Sequence, residues 1–269
     1  MSFWKDQVVL VTGGSAGFGR VLAEAFAAHG ARVVLAARNQ QTLDATVAQL
    51  QADGRDAYGI VCDVTDAQQV EALFVEIGHR FGRLDVLVNN AGRSDRGRAI
   101  ETSVEEFRAA LELNFLALVR CTQAAMPYLL KSRGRMVNIG SLAAKTASPL
   151  LGTYPTSKFP VAAYSQQLRL ELGPAGVHVL LVCPGPIGLP DRAERYAEAA
   201  AESGLPGAAA RPGGGVKLRG LDPVKLAERV LRASERGDAE LIAPRRVRLL
   251  LAISALWPRL GDWIIRKFT

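Results

Sequence analysis

Cysteine is scarce in this chain: Cys62, Cys121 and Cys183 are the three among 269 residues. They are odd in number, far apart and set in apolar runs such as "GIVCDV" and "LLVCPG". That pattern speaks against a disulfide framework and against a zinc site, so reduced, buried thiols and no metal are expected. Long apolar runs are missing too: none reaches the ~18–20 residues that a spanning helix requires. The opening "MSFWKDQVVLVTGG" lacks the basic-then-apolar order of a secretory signal, and a cytoplasmic location is expected. The net charge is +7, yet the basic residues are scattered. No recognition helix, zinc finger or aromatic-plus-basic pattern accompanies them, which excludes a nucleic-acid reader and leaves the charge as a solvation device.

What the chain does contain is a 49% apolar, 22% charged composition, the profile of a soluble globular protein with a sizeable core. Six short, continuously hydrophobic runs recur: 7–12, 31–37, 58–64, 84–90, 134–140 and 177–185. Such runs suit strands buried on both faces of a parallel sheet. Between them lie stretches with apolar residues three or four apart, including one long pattern from 104 to 130 that reads as continuous helix. The alternation predicts βαβ units and a Rossmann-like, doubly wound α/β sheet of about seven strands with helices on both faces. Residues 1–245 read as one unit, with no linker that would divide it. Within it, 187–220 is rich in Ala, Gly and Pro and reads as irregular. An apolar and basic tail, 246–269, follows.

"VLVTGGSAGFGR" puts Gly13, Gly17 and Gly19 directly after the first strand and at the mouth of a helix. Glycines there let a phosphate approach the backbone, and the helix N-terminus supplies free N–H groups and the positive dipole end. In strand–turn–helix context this points to dinucleotide binding. An acid at the end of the second strand would favour NAD, and an arginine NADP. The chain has Ala37 followed by Arg38, with Asn39 beside it, so NADP(H) is favoured over NAD(H). Further along, "YPTSK" sets Tyr154 and Lys158 four apart on one helical face. A fixed ammonium beside a phenol favours the phenolate and makes a usable acid/base.

These motifs, in order, resemble the classical short-chain dehydrogenase/reductase family over roughly 5–245. "TGGSAGFG" (12–19) is similar to the family's glycine motif, "DV" (63–64) to its adenine contact, and "NNAG" (89–92) to the segment that closes over the cofactor. Asn114 resembles the family's helix asparagine. Ser141 stands thirteen residues before Tyr154, the usual separation, and "CPGPIG" (183–188) resembles the turn beside the nicotinamide. The resemblance implies an enzyme with Tyr154 as acid/base, Lys158 tuning the tyrosine and holding the ribose, Ser141 binding the substrate oxygen, and Asn114 positioning a water. It implies cofactor contacts at Gly13, Ser15, Gly17, Phe18, Gly19, Arg38, Asn39, Asp63, Val64, Asn90, Ala91, Gly92, Tyr154, Lys158, Pro184, Gly185 and Ile187. A substrate lid over about 186–220 and a homodimer or homotetramer built on the helices carrying Asn114 and Tyr154 are also implied.

The chain departs from the family pattern at three points. Pro160 falls inside the helix that carries Lys158, where a proline costs ~3 kcal/mol and could kink it; neighbouring packing is expected to hold it. Leu189 stands where a threonine often reaches the nicotinamide, and Ala16 where NADP-dependent relatives often carry a second basic residue. In the lid, Leu189, Tyr196 and Leu205 are candidates for an apolar pocket, and Arg192, Arg211, Lys217 and Arg219 are its available cations. An apolar ketone or alcohol is the expected substrate. The tail has basic flanks and two tryptophans, the pattern of a segment lying in a membrane interface. "TGGSAGFG" and "SKF" are similar to the 3-ketosphinganine reductases, which keeps a lipid ketone at a membrane surface as a narrower option. A non-catalytic dinucleotide sensor or scaffold on the same fold is the alternative.

Overall fold

The computed structural model describes residues 2–189, 191–202, 204–207, 209–211, 213 and 218–268. In chain order these form β1 (Val8–Thr12), α1 (Gly17–Ala28), β2 (Arg32–Ala37), α2 (Gln40–Ala52), β3 (Ala57–Val61), α3 (Ala67–Phe81) and β4 (Val86–Asn89). Then come α4 (Val104–Leu111), α5 (Ala117–Ser132), β5 (Arg135–Ile139), α6 (Tyr154–Leu172), β6 (His178–Pro184), α7 (Asp191–Glu202), α8 (Pro223–Arg236), β7 (Glu240–Ala243), α9 (Val247–Leu256) and α10 (Pro258–Phe268). The strands make one parallel sheet in the order β3-β2-β1-β4-β5-β6-β7.

The continuous apolar runs follow from burial on two faces. Val9 and Val11 of β1 pack with α1, α2 and α8, whereas Val8 and Leu10 pack with α3 and α5. Both sets of alternating side chains therefore need to be apolar. The chain winds outward from β1 through β2 to β3, returns to β4 on the other side of β1, and continues to β7. This reversal opens a crevice at the strands' C-terminal ends between β1 and β4, the place where such sheets bind ligands.

Several expectations need correction. The run 58–64 is not buried on both faces: β3 is the sheet edge, and Val61 is 43% exposed. The pattern over 104–130 is not continuous α-helix, because a π-helical segment, Glu112–Leu116, separates α4 from α5. The segment 187–220 is not irregular throughout, since it holds α7. Its "AERYAEAAAE" consists of strong helix formers, a signal masked by averaging with the Gly- and Pro-rich residues that follow. β7, four residues long, lies outside the six runs read from the pattern. Pro160 behaves as expected: α6 runs unbroken from Tyr154 to Leu172. The three cysteines are free and buried, and burial pushes the thiols up, to about 11 at Cys62 and about 12 at Cys121 and Cys183.

Candidate active site

The crevice begins with the glycine loop. Gly13 and Gly17 have φ of +64° and +54°, left-handed conformations that disfavour any side chain. A Cβ on Gly19 would collide with the Gly13 carbonyl oxygen and the Asn90 amide. Phe18 is buried at the start of α1 and lines the cavity described below. The loop is strapped to β4 by a residue that the sequence reading passed over. The Thr12 hydroxyl accepts from the Asn90 and Ala91 amides at 3.0 and 3.1 Å and donates to the Val88 carbonyl at 3.3 Å. The Asn90 side-chain amide in turn donates to the Thr12 and Gly13 carbonyls at 3.0 and 3.3 Å. This open cradle at a helix N-terminus fits a dinucleotide's pyrophosphate.

Beside it, β2 ends at buried Ala37, and Arg38 is 69% exposed. Its guanidinium lies 3.9 Å from the Asp63 carboxylate, a loose contact for a solvated pair. Burial works against ionising Asp63, but hydrogen bonds from the Thr65 amide and hydroxyl and the charge of Arg38 outweigh it and hold the carboxyl below its ordinary range. Val64 is buried next to it. The Asn39 side chain caps α2 by accepting from the Thr42 amide at 2.9 Å, and the Thr42 hydroxyl donates to the Ser15 hydroxyl at 3.3 Å. Arg38, Asn39, Thr42 and Ser15 thus gather where the glycine loop meets the N-terminus of α2, which suits an extra phosphate.

At the other end of the crevice, Ser141, Tyr154 and Lys158 line one cavity of about 540 Å³, with Phe18, Asn90, Gly92, Pro184, Gly185 and Ile187. Ser141 follows β5 in extended backbone and its hydroxyl accepts from the Ala143 amide at 3.1 Å. It donates to no described protein group, which leaves its proton for a ligand. Lys158 is 4% exposed, and its ammonium donates to the Ile139 carbonyl at 3.0 Å. Asn114 sits in the π-helical segment, and its side chain is held by its neighbours. Its side-chain oxygen accepts from the Arg93 amide at 2.8 Å; its NH₂ donates to the Arg93 carbonyl and to the Ser157 hydroxyl, both at 2.9 Å. A Cβ on Gly92 would lie 2.7 Å from that oxygen and 3.3 Å from the Lys158 nitrogen. Asn114, Lys158 and the "NNAG" loop therefore meet around Gly92. Behind them runs a second polar chain that the sequence reading missed. Asn89 donates to Asn138 and Asn138 to Ser165, each at 2.9 Å, joining β4, β5 and α6.

The rest of the cavity is mostly apolar. Tyr196 of α7 lines it, and so do Arg246, Val247, Leu250, Ile264 and Ile265 of the tail. The tail is thus a cavity wall, a role not legible beforehand. Leu205 and Leu189 do not line the cavity. Leu189 instead packs against the core cluster that includes α1, near Gly17. Arg211 and Arg219 also stay outside the lining. The Arg192 side chain and all of Lys217 fall outside the described residues.

These features match known proteins. The family model for short chain dehydrogenase matches residues 7–200. The chain is 30% identical over 269 residues to the uncharacterized oxidoreductase YxnA of Bacillus subtilis (strain 168), covering 98% of this chain and 72% of that protein. It is 38% identical over 194 residues to the granaticin polyketide synthase putative ketoacyl reductase 1 of Streptomyces violaceoruber, 71% of each chain. Among solved structures, a variant of actinorhodin polyketide ketoreductase crystallised with NADPH superposes with a TM-score of 0.79 at 31% identity, over 90% of this chain and 97% of that one. A glycine cradle, a sheet reversal and a serine–tyrosine–lysine cavity on one chain, with these matches, lead to one conclusion: the protein belongs to the short-chain dehydrogenase family of nicotinamide-dependent oxidoreductases.

Proposed function

We propose that this protein is an NADP(H)-dependent oxidoreductase that interconverts a carbonyl and a secondary alcohol on a largely apolar substrate. The observation that carries the reading is the convergence of Ser141, Tyr154 and Lys158 on one cavity beside the cofactor-loop residues. When bound, the nicotinamide exchanges a hydride with the substrate carbon. The chain's own groups handle the oxygen and its proton. The uncommitted Ser141 hydroxyl hydrogen-bonds the substrate oxygen and holds it where negative charge develops. Tyr154 gives that oxygen a proton in reduction and removes it in oxidation. The Lys158 ammonium favours the phenolate form of Tyr154 and holds the nicotinamide ribose. Asn114 clamps the "NNAG" loop to the first turn of α6. Asn114 also positions a water that links Lys158 to solvent in this proposal.

NADP(H) over NAD(H) is favoured by Ala37 at the strand end, by exposed Arg38, and by the relative crystallised with NADPH. The test follows NADPH absorbance with a panel of ketones and aldehydes, for the wild type and Tyr154→Phe. Turnover that falls by ~10²–10⁴ in the variant supports the reading. NADPH binding without turnover of any carbonyl would favour the sensor.

A second reading concerns the tail. Leu249, Leu256, Trp257 and Trp263 are each more than half exposed, amid Arg245, Arg248, Arg259, Arg266 and Lys267. That combination favours contact with an anionic membrane surface, and with it a lipid ketone as substrate. No helix among the described residues is long and apolar enough to cross a membrane. A homodimer or homotetramer is proposed on α5 and α6, where Leu130, Phe159 and Leu170 are exposed; light scattering on the eluted peak measures it.

A further inference from the structure

Between the "NNAG" loop and α4, a short segment carries a buried guanidinium that the proposed chemistry leaves unused. Arg96 is 7% exposed. Its Nε donates to the Ala209 carbonyl at 2.6 Å and its Nη2 to the Arg211 carbonyl at 3.2 Å. Its Nη1 donates to the Ser94 hydroxyl at 3.0 Å and to the Asp95 carbonyl at 2.7 Å. The guanidinium carbon lies 3.8 Å from the centre of the Tyr196 ring, within cation–π reach. Ala209, Arg211 and Tyr196 all belong to the 186–220 segment, and Tyr196 lines the cavity.

The other side of the same loop is fixed to the start of α6. Asp95 accepts from the Thr153 hydroxyl at 2.6 Å, one residue before Tyr154. Gly97 bridges Leu151: its amide donates to the Leu150 carbonyl at 3.2 Å, and its carbonyl accepts from the Gly152 amide at 2.9 Å. Residues 95–97 therefore grip the approach to Tyr154 on one side and the lid on the other.

We propose that Arg96 is a positioning residue, a latch that holds the lid closed over the cavity and sets the Tyr196 wall against the catalytic helix. The chemistry suits arginine in particular. A planar fork can donate to two lid carbonyls while its face stacks on a ring, which an ammonium cannot do. Tyr196 and Ala209, two of the lid residues Arg96 touches, are buried, and contacts of this kind decide how often a covering segment opens. The kinetic part of the proposal rests on the reductase reading; the lid-opening part does not.

The experiment compares wild type, Arg96→Ala, Arg96→Lys and Tyr196→Leu, and reads two quantities. Elastase, which cuts beside small residues, measures opening of the Ala-rich lid. Steady-state kinetics with the best ketone from the panel separates KM from kcat. The latch predicts elastase cleavage within 186–220 accelerated about tenfold or more in Arg96→Ala, with part of the protection restored in Arg96→Lys. It predicts KM raised by about ten- to a hundredfold with a smaller change in kcat. It also predicts that Tyr196→Leu speeds lid cleavage less than Arg96→Ala, because it removes the stacked ring and leaves the guanidinium's bonds to the Ala209 and Arg211 carbonyls. Unchanged lid cleavage in Arg96→Ala would overturn the latch. So would cleavage that rises equally over the whole chain in both Arg96 variants, which would mark a purely structural arginine. Faster lid cleavage in a protein that turns over no carbonyl would uphold the latch and sink the reductase reading alone.

Discussion

Arg38 has one weak partner, the Asp63 carboxylate 3.9 Å away, and most of its surface faces solvent. Pairs of that kind are worth ~0–1 kcal/mol, so little opposes a better anion. A 2′-phosphate offers charge-assisted hydrogen bonds worth ~1.5–3 kcal/mol. Arg38→Ala is therefore expected to weaken NADPH binding by about ten- to a hundredfold and to leave NADH nearly unchanged, as measured by titration calorimetry. Equal losses for both cofactors would place Arg38 outside phosphate recognition. Candidates of this sort can be picked out because their signal is local: Arg38 directly follows β2, and Tyr154 and Lys158 share one helical turn. Thr12 and Arg96 were not legible, because what defines them is distance along the chain. Thr12 bonds Asn90 and Ala91, and Arg96 reaches Ala209 and Arg211. Thr12 did leave a trace, a lone hydroxyl closing an otherwise apolar buried strand.

Among the elements, α6 carries the largest local conflict. Pro160 is its seventh residue, past the first turn where proline is free of penalty, yet the helix is unbroken. The ring removes the amide that would bond the Thr156 carbonyl. What holds the turn are contacts on the other side: Ser157 to Asn114, Lys158 to the Ile139 carbonyl and Val161 in the core. If these fix Lys158, Pro160→Ala should raise stability by ~1–3 kcal/mol, read from the urea midpoint, with kcat unchanged. A fall in kcat without a fall in stability would mean that the proline itself shapes the site. The elements that the pattern misjudged share one cause. Periodicity reports that a residue is apolar, but not where the sheet ends nor whether a helix gains a residue per turn. Hence β3 read as buried on both faces though it is the half-exposed edge, and the π-helical turn at Asn114 was invisible. Such turns concentrate at functional sites, and here it sets the asparagine against Gly92 and Arg93.

For the whole molecule, the telling feature is that the tail has two apolar faces. Val247, Leu250, Ile264 and Ile265 turn inward to the catalytic cavity, while Leu249, Leu256, Trp257 and Trp263 turn outward. Gly261 lets α10 press against Ser254 of α9, so the pair forms one wall. Residues 245–268 hold six basic side chains and one acid, Asp262. A wall that is apolar on both sides and basic at its margins suits a lipid surface outside and an apolar carbonyl within. The two faces separate experimentally, because neither tryptophan lines the cavity. A Trp257→Ser/Trp263→Ser double variant should lose flotation with phosphatidylglycerol-containing vesicles and keep its turnover of a water-soluble ketone. Wild-type flotation should weaken as salt rises toward 1 M, where the Debye length shrinks to ~3 Å. If the wild type fails to float at low salt, the outer face has no affinity for the bilayer and the tail serves the cavity alone. If it floats and the double variant reduces soluble ketones normally but a vesicle-borne ketone poorly, the substrate enters from the bilayer.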